Sequence, residues 1–525
     1  MIDSLRTICR SSAKPRAMKE VMVVVPRFGS AKVAQREVDS LVCNRILDGE
    51  EQYLVKWKRI VAPNAYSWHY LPELTLCLAL LQDYLKARRE RIHSKTSNLK
   101  RKSPHAEQRA HLYEHDPQSR SPSVQSSSSE SISAKAQALS LGESYNCTVY
   151  PDGDHIRVRS SLRLPCAERI PTAEMMAVAA TSSTRHASHK IRTHILKRLK
   201  ALPGPEITYQ NIHDASDIPL RFEFIEACVL REGLTRVDPE TIVGCQKECR
   251  PNMGKNIGCQ LSICECLEFA AVQEGRLNEE QWVRYRSNPG DTAGLPKRFP
   301  YHTSVAQRDG CLVEFYLRGR HPIYECNHRC NCGPGCNNRM VQHGRQLPLE
   351  IFKTKDRGWG LRCPLAIRKG QFIDTYRGEI ITDEEADRRE ARSGKGKESY
   401  LYALDKFEDE LREREEAPYV VDGEHKGGPT RFMNHSCDPN VLQYTVSYNK
   451  YDQKVYDLAF FARRDIPANE ELSFDYLDKD EEDNEAGTGV LTSQVDDVEV
   501  WTPDDNGTVV PCRCGAEKCR KVLWT

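Results

Sequence analysis

The side chains best suited to chemistry in this sequence are cysteines, and their spacing points to metal thiolates. Cys245, Cys249, Cys259, Cys264 and Cys266 form one run, and Cys326, Cys330, Cys332 and Cys336 form a second after an insert of roughly sixty residues. Zinc takes four ligands in a tetrahedron at about 2.3 Å from each sulfur. Nine thiols therefore leave one spare, or they serve three zinc ions that share three bridging sulfurs. The plainer alternative treats them as small buried apolar side chains, but four cysteines interleaved with Asn327, His328, Gly333 and Asn337 do not resemble a core strand. The carboxyl-terminal cluster, Cys512, Cys514 and Cys519, offers three thiolates and needs a fourth. Cys437 is the best candidate, and closure through it would pin the tail across the preceding region and make the metal part of folding. Cys9, Cys43, Cys77, Cys147, Cys166, Cys228, Cys311 and Cys363 read as core-packing residues.

Four short motifs lie between these clusters: Gly358-Trp359-Gly360-Leu361 at a loop-to-strand junction, Gly378-Glu379, the run from Arg431 to Asn440, and Glu471-Leu472-Ser473-Phe474-Asp475-Tyr476. Singly each is a weak signal. Gly-Trp-Gly is more often a turn, Asn434-His435 a loop pair, and an aromatic strand end part of a core.

In order and together with the flanking cysteines, the motifs resemble the SET-domain lysine methyltransferases of the Su(var) family. The resemblance covers about Ile242 to the carboxyl terminus. It implies a mostly β fold: small sheets around a pseudo-knot, in which Asn434 to Cys437 threads beside Phe474 to Tyr476. Zinc-binding pre-SET and post-SET segments would flank it, holding three zinc ions and one. It also implies S-adenosylmethionine as cofactor, with Gly358, Trp359, Gly360, Arg431, Asn434 and His435 lining its pocket. Tyr400 would sit near the methyl donor and the substrate amine, Tyr476 matches the family's catalytic tyrosine, and Trp524 would close over the cofactor or the substrate channel. Phe474 stands where the family carries Phe or Tyr, and phenylalanine implies di- and trimethylation.

Lysine chemistry is consistent with these residue types. An amine of pKa ~10.4 is protonated in water, and only its neutral lone pair can attack a methyl carbon. A narrow apolar channel disfavours the ammonium, and a tyrosine hydroxyl can orient the neutral amine at roughly 3–3.5 Å. By family analogy the substrate is lysine 9 of the histone H3 tail on the nucleosome, which implies a role in heterochromatin and gene silencing. Two other readings stay open: a catalytically silent chromatin scaffold, and a methyltransferase for another histone or non-histone lysine.

The elements that must position these residues need more than one core. The chain has 525 residues, 39% hydrophobic and 29% charged, with a mean hydropathy of −0.63, so two or three globular cores and substantial polar linker are expected. No apolar run approaches the eighteen or so residues of a membrane span. Asp3 and Arg6 stand where a signal peptide needs apolar residues. A soluble, non-secreted protein that keeps its thiols reduced is expected, acting on chromatin in the nucleus. Its 76 basic residues are offset by 75 acidic ones, so any DNA or RNA contact must be local.

Residues 35–92 form the first unit. Tyr53, Val55 and Trp57 alternate with Leu54, Lys56 and Lys58, which predicts a strand with one apolar face. Leu74, Leu78, Leu81 and Leu85 then recur at helical spacing and lead into the basic run Lys86 to Arg91. Together with Ser67-Trp68 this unit resembles a chromodomain, a methyl-lysine reader that traps the cation in an aromatic cage. Trp57 matches one wall. The other cage positions, near Arg36 and at Ile60, lack aromatics, so trimethyl-lysine should bind poorly unless Tyr66 or Tyr70 substitutes. Residues 93–141 read as a disordered basic linker with Lys100-Arg101-Lys102 as a candidate nuclear-import signal, and 142–241 hold strand-like and helix-like pieces, notably Phe222 to Ile225, but no chemical motif and remain unassigned. The zinc-cluster segment is expected at 242–344, the catalytic domain at 345–477, a mobile acidic loop at 478–508 and the zinc tail at 509–525. The acidic loop is a candidate autoinhibitor of the channel for a basic substrate.

Overall fold

The computed structural model describes residues 32–58, 66–100, 147–152, 155–160, 171, 173–234, 236–245, 265–267, 270–303, 308–393, 399–477 and 510–524. The chain divides into two compact units, residues 1–195 with 216–220, and residues 196–215 with 221–525.

The first unit is built on an antiparallel sheet of Val38–Leu47, Glu50–Trp57 and Tyr66–Tyr70. Asp48 and Gly49 join the first two strands with φ of 51° and 82°, the two-residue turn whose twist suits an antiparallel pair. The alternating pattern predicts one apolar face, yet Tyr53, Leu54 and Val55 are all fully buried. The reason lies in the unassigned stretch: helix Ala173–Thr181 lays Met175 and Ala179 against Cys43, Leu54 and Trp68 on the second face. Arg88, in the basic run of helix Leu78–Lys100, secures that helix by donating to the carbonyls of Ala179, Ala180 and Ser182 at 2.8, 2.9 and 2.8 Å. These are orphan acceptors at a helix C-terminus. Leu78, Leu81 and Leu85 face the core as their spacing predicts. The helix continues to Lys100, into the segment expected to be linker from residue 93, and the rest of that linker lies outside the described residues.

The second unit, mostly β, contains three larger sheets. One runs in the order Asn434–His435, Glu471–Phe474, Trp359–Arg362, Leu349–Lys353, Ile207–Gln210. Another runs Phe372–Tyr376, Asp457–Ala462, Val441–Ser447, Ile323–Tyr324, and the third Leu401–Ala403, Tyr419–Asp422, Glu379–Thr382, Val229–Leu230. Residues 142–241 thus supply Ile207–Gln210 and Val229–Leu230 as parallel edge strands, and Glu223–Phe224 pairs in parallel with Lys426–Gly427. Each covers backbone donors and acceptors that a bare edge would expose.

The core of this unit joins the cysteine-rich segment to the second sheet through Tyr301, Leu312, Tyr316 and Ile323 against Phe372, Tyr444 and Phe461. Within it the Glu325 carboxylate, 3% exposed, accepts from the Tyr301 hydroxyl at 2.6 Å and from the Met340 and Val341 amides at 2.7 Å each. A buried carboxylate is tolerated because its lone pairs are met. Burial pushes the Tyr301 hydroxyl well above its ordinary pKa, so it remains a donor. The acidic loop, residues 478–508, lies outside the described residues.

Candidate active site and thiolate clusters

Asn434 and His435 pair in parallel with Ser473 and Phe474, and the Ser436 amide continues the ladder to the Phe474 carbonyl at 3.0 Å. This pairing brings together two motifs almost forty residues apart in the chain. The strand Glu471–Phe474 pairs in turn with Trp359–Arg362, which carries the glycine motif. The two glycines are required for different reasons. Gly358 has φ +71°, a left-handed conformation that side chains resist, and space is open where its Cβ would stand. At Gly360 a Cβ would come within 3.0 Å of Glu471 Oε1 and of the Phe352 ring. A side chain there would press on the Glu471 carboxylate and the Phe352 ring, which would have to give by a few tenths of an ångström.

Glu471 organises this corner. Its Oε1 accepts from Asn434 Nδ2 at 2.7 Å, and its other oxygen pairs with Arg357. The same Asn434 amide donates to the Trp359 carbonyl at 3.3 Å. Asn440, 3% exposed, ties the threaded segment down from the other end: its Nδ2 donates to Glu470 Oε1 at 2.7 Å and to the Glu471 carbonyl at 2.8 Å, and its Oδ1 accepts from the Ser473 amide at 2.9 Å. Neither Glu471 nor Asn440 received a role from sequence. The signal available was their place inside motifs that were otherwise assigned.

Tyr476 follows the strand. Its hydroxyl donates to the Met433 carbonyl at 2.7 Å, and its amide donates to His435 Nδ1 at 3.2 Å. Phe474 is buried and its ring centroid lies 4.9 Å from that of Tyr476 and 4.9 Å from Phe460. Arg431, in the turn Pro429–Phe432, stacks its guanidinium 4.0 Å above the Tyr400 ring and 5.0 Å from Phe222. The Tyr400 carbonyl accepts from the Tyr376 hydroxyl at 2.9 Å and the Gly423 amide at 3.0 Å, which fixes the chain just before Leu401–Ala403. Trp524 ends the strand Val522–Trp524, paired with Val510–Pro511, and its side chain lies outside the described residues.

Six of the nine upstream cysteines are described, and Cys249, Cys259 and Cys264 lie outside. Cys245, Cys266 and Cys330 bring their sulfurs within 4.8 Å of one another, and so do Cys326, Cys332 and Cys336. The Cys266 and Cys330 sulfurs are 3.6 Å apart, and Cys330 also faces Cys326 and Cys332, so it touches both groups. Contacts from Cys266, then from Cys326 and Cys332, hold its thiol far below the ordinary range. Backbone amides of Cys245 and Asn327 point at the same sulfur, each at 3.2 Å. This donor set fits thiolates shared between metal ions.

In the tail the ligand atoms of His435, Cys437, Cys512 and Cys514 lie within 4.8 Å of one another, and Cys519 adjoins Cys512 and Cys514. The Cys437 and Cys512 sulfurs are 3.8 Å apart. Burial raises the Cys514 thiol, but amide hydrogen bonds and the facing thiols bring it down to about 7. Burial first, and Arg520 nearby, push His435 down to about 4, leaving a neutral ring. Because its Nδ1 accepts from Tyr476, its proton belongs on Nε2, 3.2 Å from Cys437 Sγ. Thus one imidazole links the tail cluster to the tyrosine strand. Arg520 repeats the link, with its side chain on the Asp475 carboxylate at 2.8 Å and its amide on Cys437 Sγ at 3.4 Å.

In the first unit Trp57, the expected cage wall, is 7% exposed and donates Nε1–H to Ser67 Oγ at 2.8 Å. Ser67 lies 2.7 Å from His69 Nε2, and His69 Nδ1 lies 2.6 Å from Glu73. The indole edge is tied into a buried polar chain.

Residues 358–477 match the SET domain and residues 200–339 the Pre-SET motif. The Pre-SET match begins inside the stretch that sequence reading left unassigned. Over 324 residues the chain is 39% identical to the H3 lysine-9 specific histone-lysine N-methyltransferase KMT1 of Fusarium mangiferae, covering 61% of this chain and 88% of that protein. It is 39% identical over 325 residues to the H3 lysine-9 specific dim-5 of Neurospora crassa, with the same coverages of 61% and 88%. Against Su(var)3-9 of Drosophila melanogaster it is 33% identical over 327 residues, 61% of this chain and 42% of that protein. The chain belongs to the SET-domain histone-lysine N-methyltransferases.

Proposed function

We propose that this enzyme transfers methyl groups from S-adenosylmethionine to lysine 9 of histone H3, forming the di- and trimethylated products, on nuclear chromatin and in heterochromatic silencing. The observation that carries this reading is the convergence of Tyr476, Phe474, Asn434 and the Gly358–Gly360 corner on three adjacent strands of one sheet.

The cofactor supplies an electrophilic methyl group. Gly358, Trp359, Gly360, Arg431, Asn434 and His435 would hold it: the left-handed Gly358 leaves open space beside the backbone, and Asn434 is fixed by Glu471 before any ligand arrives. The chain's own task is then to present a neutral lysine amine. Buried aromatic walls disfavour the ammonium form. Tyr476, anchored on the Met433 carbonyl, offers its phenolic oxygen as acceptor for the amine's N–H, which aims the lone pair. Tyr400 flanks this position, braced by Arg431. Phe474 cannot hydrogen-bond a partly methylated amine, so the amine stays free to rotate its lone pair back for a further methylation. Trp524 is read as the lid on cofactor or channel.

Zinc would be held by the upstream nine cysteines, as three ions, and by Cys437, Cys512, Cys514 and Cys519, as one, and would keep these thiolates together as a structural metal. In that set His435 would act as a hydrogen-bond donor to Cys437 and not as a ligand. In the amino-terminal module, the buried and hydrogen-bonded Trp57 supports weak trimethyl-lysine binding.

The test is mass spectrometry of an unmodified H3 tail peptide incubated with zinc-loaded protein and S-adenosylmethionine. Gains in methyl steps at lysine 9, reaching the trimethyl form, are expected. A folded, zinc-loaded protein that leaves both peptide and nucleosome unmethylated would establish the scaffold reading instead, and methylation elsewhere would establish another lysine as the target.

A further inference from the structure

Helix Arg185–Lys200 differs from three other surface helices of this chain. Glu314–Gly319, Asp383–Ser393 and Glu408–Arg412 each carry cation–carboxylate pairs along their own surface, Arg318 with Glu314, Arg389 with Glu385 and Arg412 with Glu408. The 185–200 helix holds six lysines and arginines, three histidines and no acidic residue.

Its cations sort by direction. Ala187, Ile191, Ile195 and Leu199 are buried at a spacing of four and define the inner stripe. Two arginines on the flanks of that stripe are engaged locally, Arg192 with Asp217 at 3.0 Å and Arg198 with the Phe222 carbonyl. At 100° per residue, His189, Lys190, Lys197 and Lys200 fall on the opposite side and Arg185 at its edge, all exposed or half-buried. Among the described residues, Arg185, Lys190, Lys197 and Lys200 make no ion pair.

Helix stability accounts for part of this arrangement only. Lys197 and Lys200 complement the dipole at the C-terminal end. Arg185 stands at the N-terminal end, where a cation opposes the dipole. The buried Glu51 carboxylate occupies that end, accepting from the His186 and Ala187 amides at 2.8 and 3.0 Å, and it leaves the outer face uncompensated. The net charge of the chain is only +1, so this face is a local concentration of charge.

We infer that the outer face of helix Arg185–Lys200 docks on the phosphate backbone of duplex DNA, holding the enzyme on the DNA that carries its histone substrate. The inference uses the histone reading of the catalytic site to choose DNA among polyanions. Geometry favours the same choice. The row of cations spans about 22 Å at 1.5 Å per residue, comparable to the length of duplex axis over which one strand presents about six phosphates, at 3.4 Å of axis each. Such docking reads charge and spacing, not base sequence.

The test uses the full zinc-loaded chain and a variant with Arg185→Gln, Lys190→Gln, Lys197→Gln and Lys200→Gln, which keeps the buried stripe and both flanking arginines. Circular dichroism checks that the helix content is retained. Fluorescence anisotropy with a labelled duplex of mixed sequence measures affinity across a salt series. The variant should bind roughly tenfold or more weakly, with a salt slope shallower by about 0.9 for each phosphate it no longer neutralises. Methylation of free peptide should be unchanged while methylation of nucleosomes falls. Equal duplex affinity and equal slope would overturn the inference, as would a preference for single-stranded RNA over duplex. The anisotropy readout needs no methyl transfer, so failure of the catalytic reading leaves this result separately legible.

Discussion

The tyrosine strand and the thiol clusters are both assembled from distant pieces of chain, but they are held in different ways. Around Tyr476 every joining contact is internal: strand pairing of Asn434–His435 with Glu471–Phe474, the Glu471 carboxylate on Asn434, and Asn440 on Glu470, Glu471 and Ser473. In the cysteine groups sulfur faces sulfur, as in Cys266 with Cys330 at 3.6 Å and Cys437 with Cys512 at 3.8 Å. Thiols that close offer each other weak hydrogen bonds, and as thiolates they repel, so a cation must supply the cohesion. The catalytic corner is self-supporting, whereas the clusters are conditional on metal.

Metal removal is the sharpest way to break this comparison. Chelation should abolish methyl transfer and expose the cysteine thiols to titration by a thiol reagent, because binding energy at a structural zinc site is folding energy, about 10 kcal/mol or more. Methyl transfer that survives full chelation would show that the tail needs no metal. Next in size is Tyr476→Phe, which removes one hydroxyl. A fall in kcat of about a hundredfold or more is expected, with zinc content unchanged by metal analysis.

Asn440→Ala tests the self-supporting half directly. It deletes a buried amide, leaves the Ser473 donor unmet and should cost about 2–3 kcal/mol, read as a lower Tm. Cofactor binding should weaken with it, measured by calorimetry, as the threaded segment loosens. The smallest expected effect on rate is Phe474→Tyr. Its hydroxyl would hold the once-methylated amine, so the first methyl step should proceed at a comparable rate while mass spectrometry shows monomethyl product replacing trimethyl. If trimethylation persisted, Phe474 would not set the product.

Much of this arrangement was legible in the chain. The cysteine runs announce metal because thiols at such spacing have few other uses, and Gly358, Gly360, Asn434, His435, Phe474 and Tyr476 stand in motifs read in order. Cys437 could be matched to the tail by counting ligands, and the structure brings its sulfur to Cys512 and Cys514. The stretch 142–241 was legible only at Phe222 to Ile225, which reads as strand-like and holds the strand Glu223–Phe224. Ile207–Gln210 and Val229–Leu230 are too short to show periodicity, and they are strands only because an open sheet edge lies beside them. The pattern Tyr53 to Trp57 pointed to one buried face, since the helix that covers the other, Ala173–Thr181, comes from more than a hundred residues away.

By itself, then, the sequence determined the chemical inventory: which residues can bind metal, shape a cofactor turn, or present a hydroxyl beside a phenyl ring. Those properties belong to residue types and local spacing. Only the tertiary structure decided how the inventory is wired. His435 turns Nδ1 to the Tyr476 amide and Nε2 to Cys437, Glu471 fixes Asn434, and Arg520 carries the tail to Asp475. Each of these joins segments whose separation in the chain carries no pattern. Hydrogen bonds act over about 3 Å, and only the folded backbone sets which groups come that close.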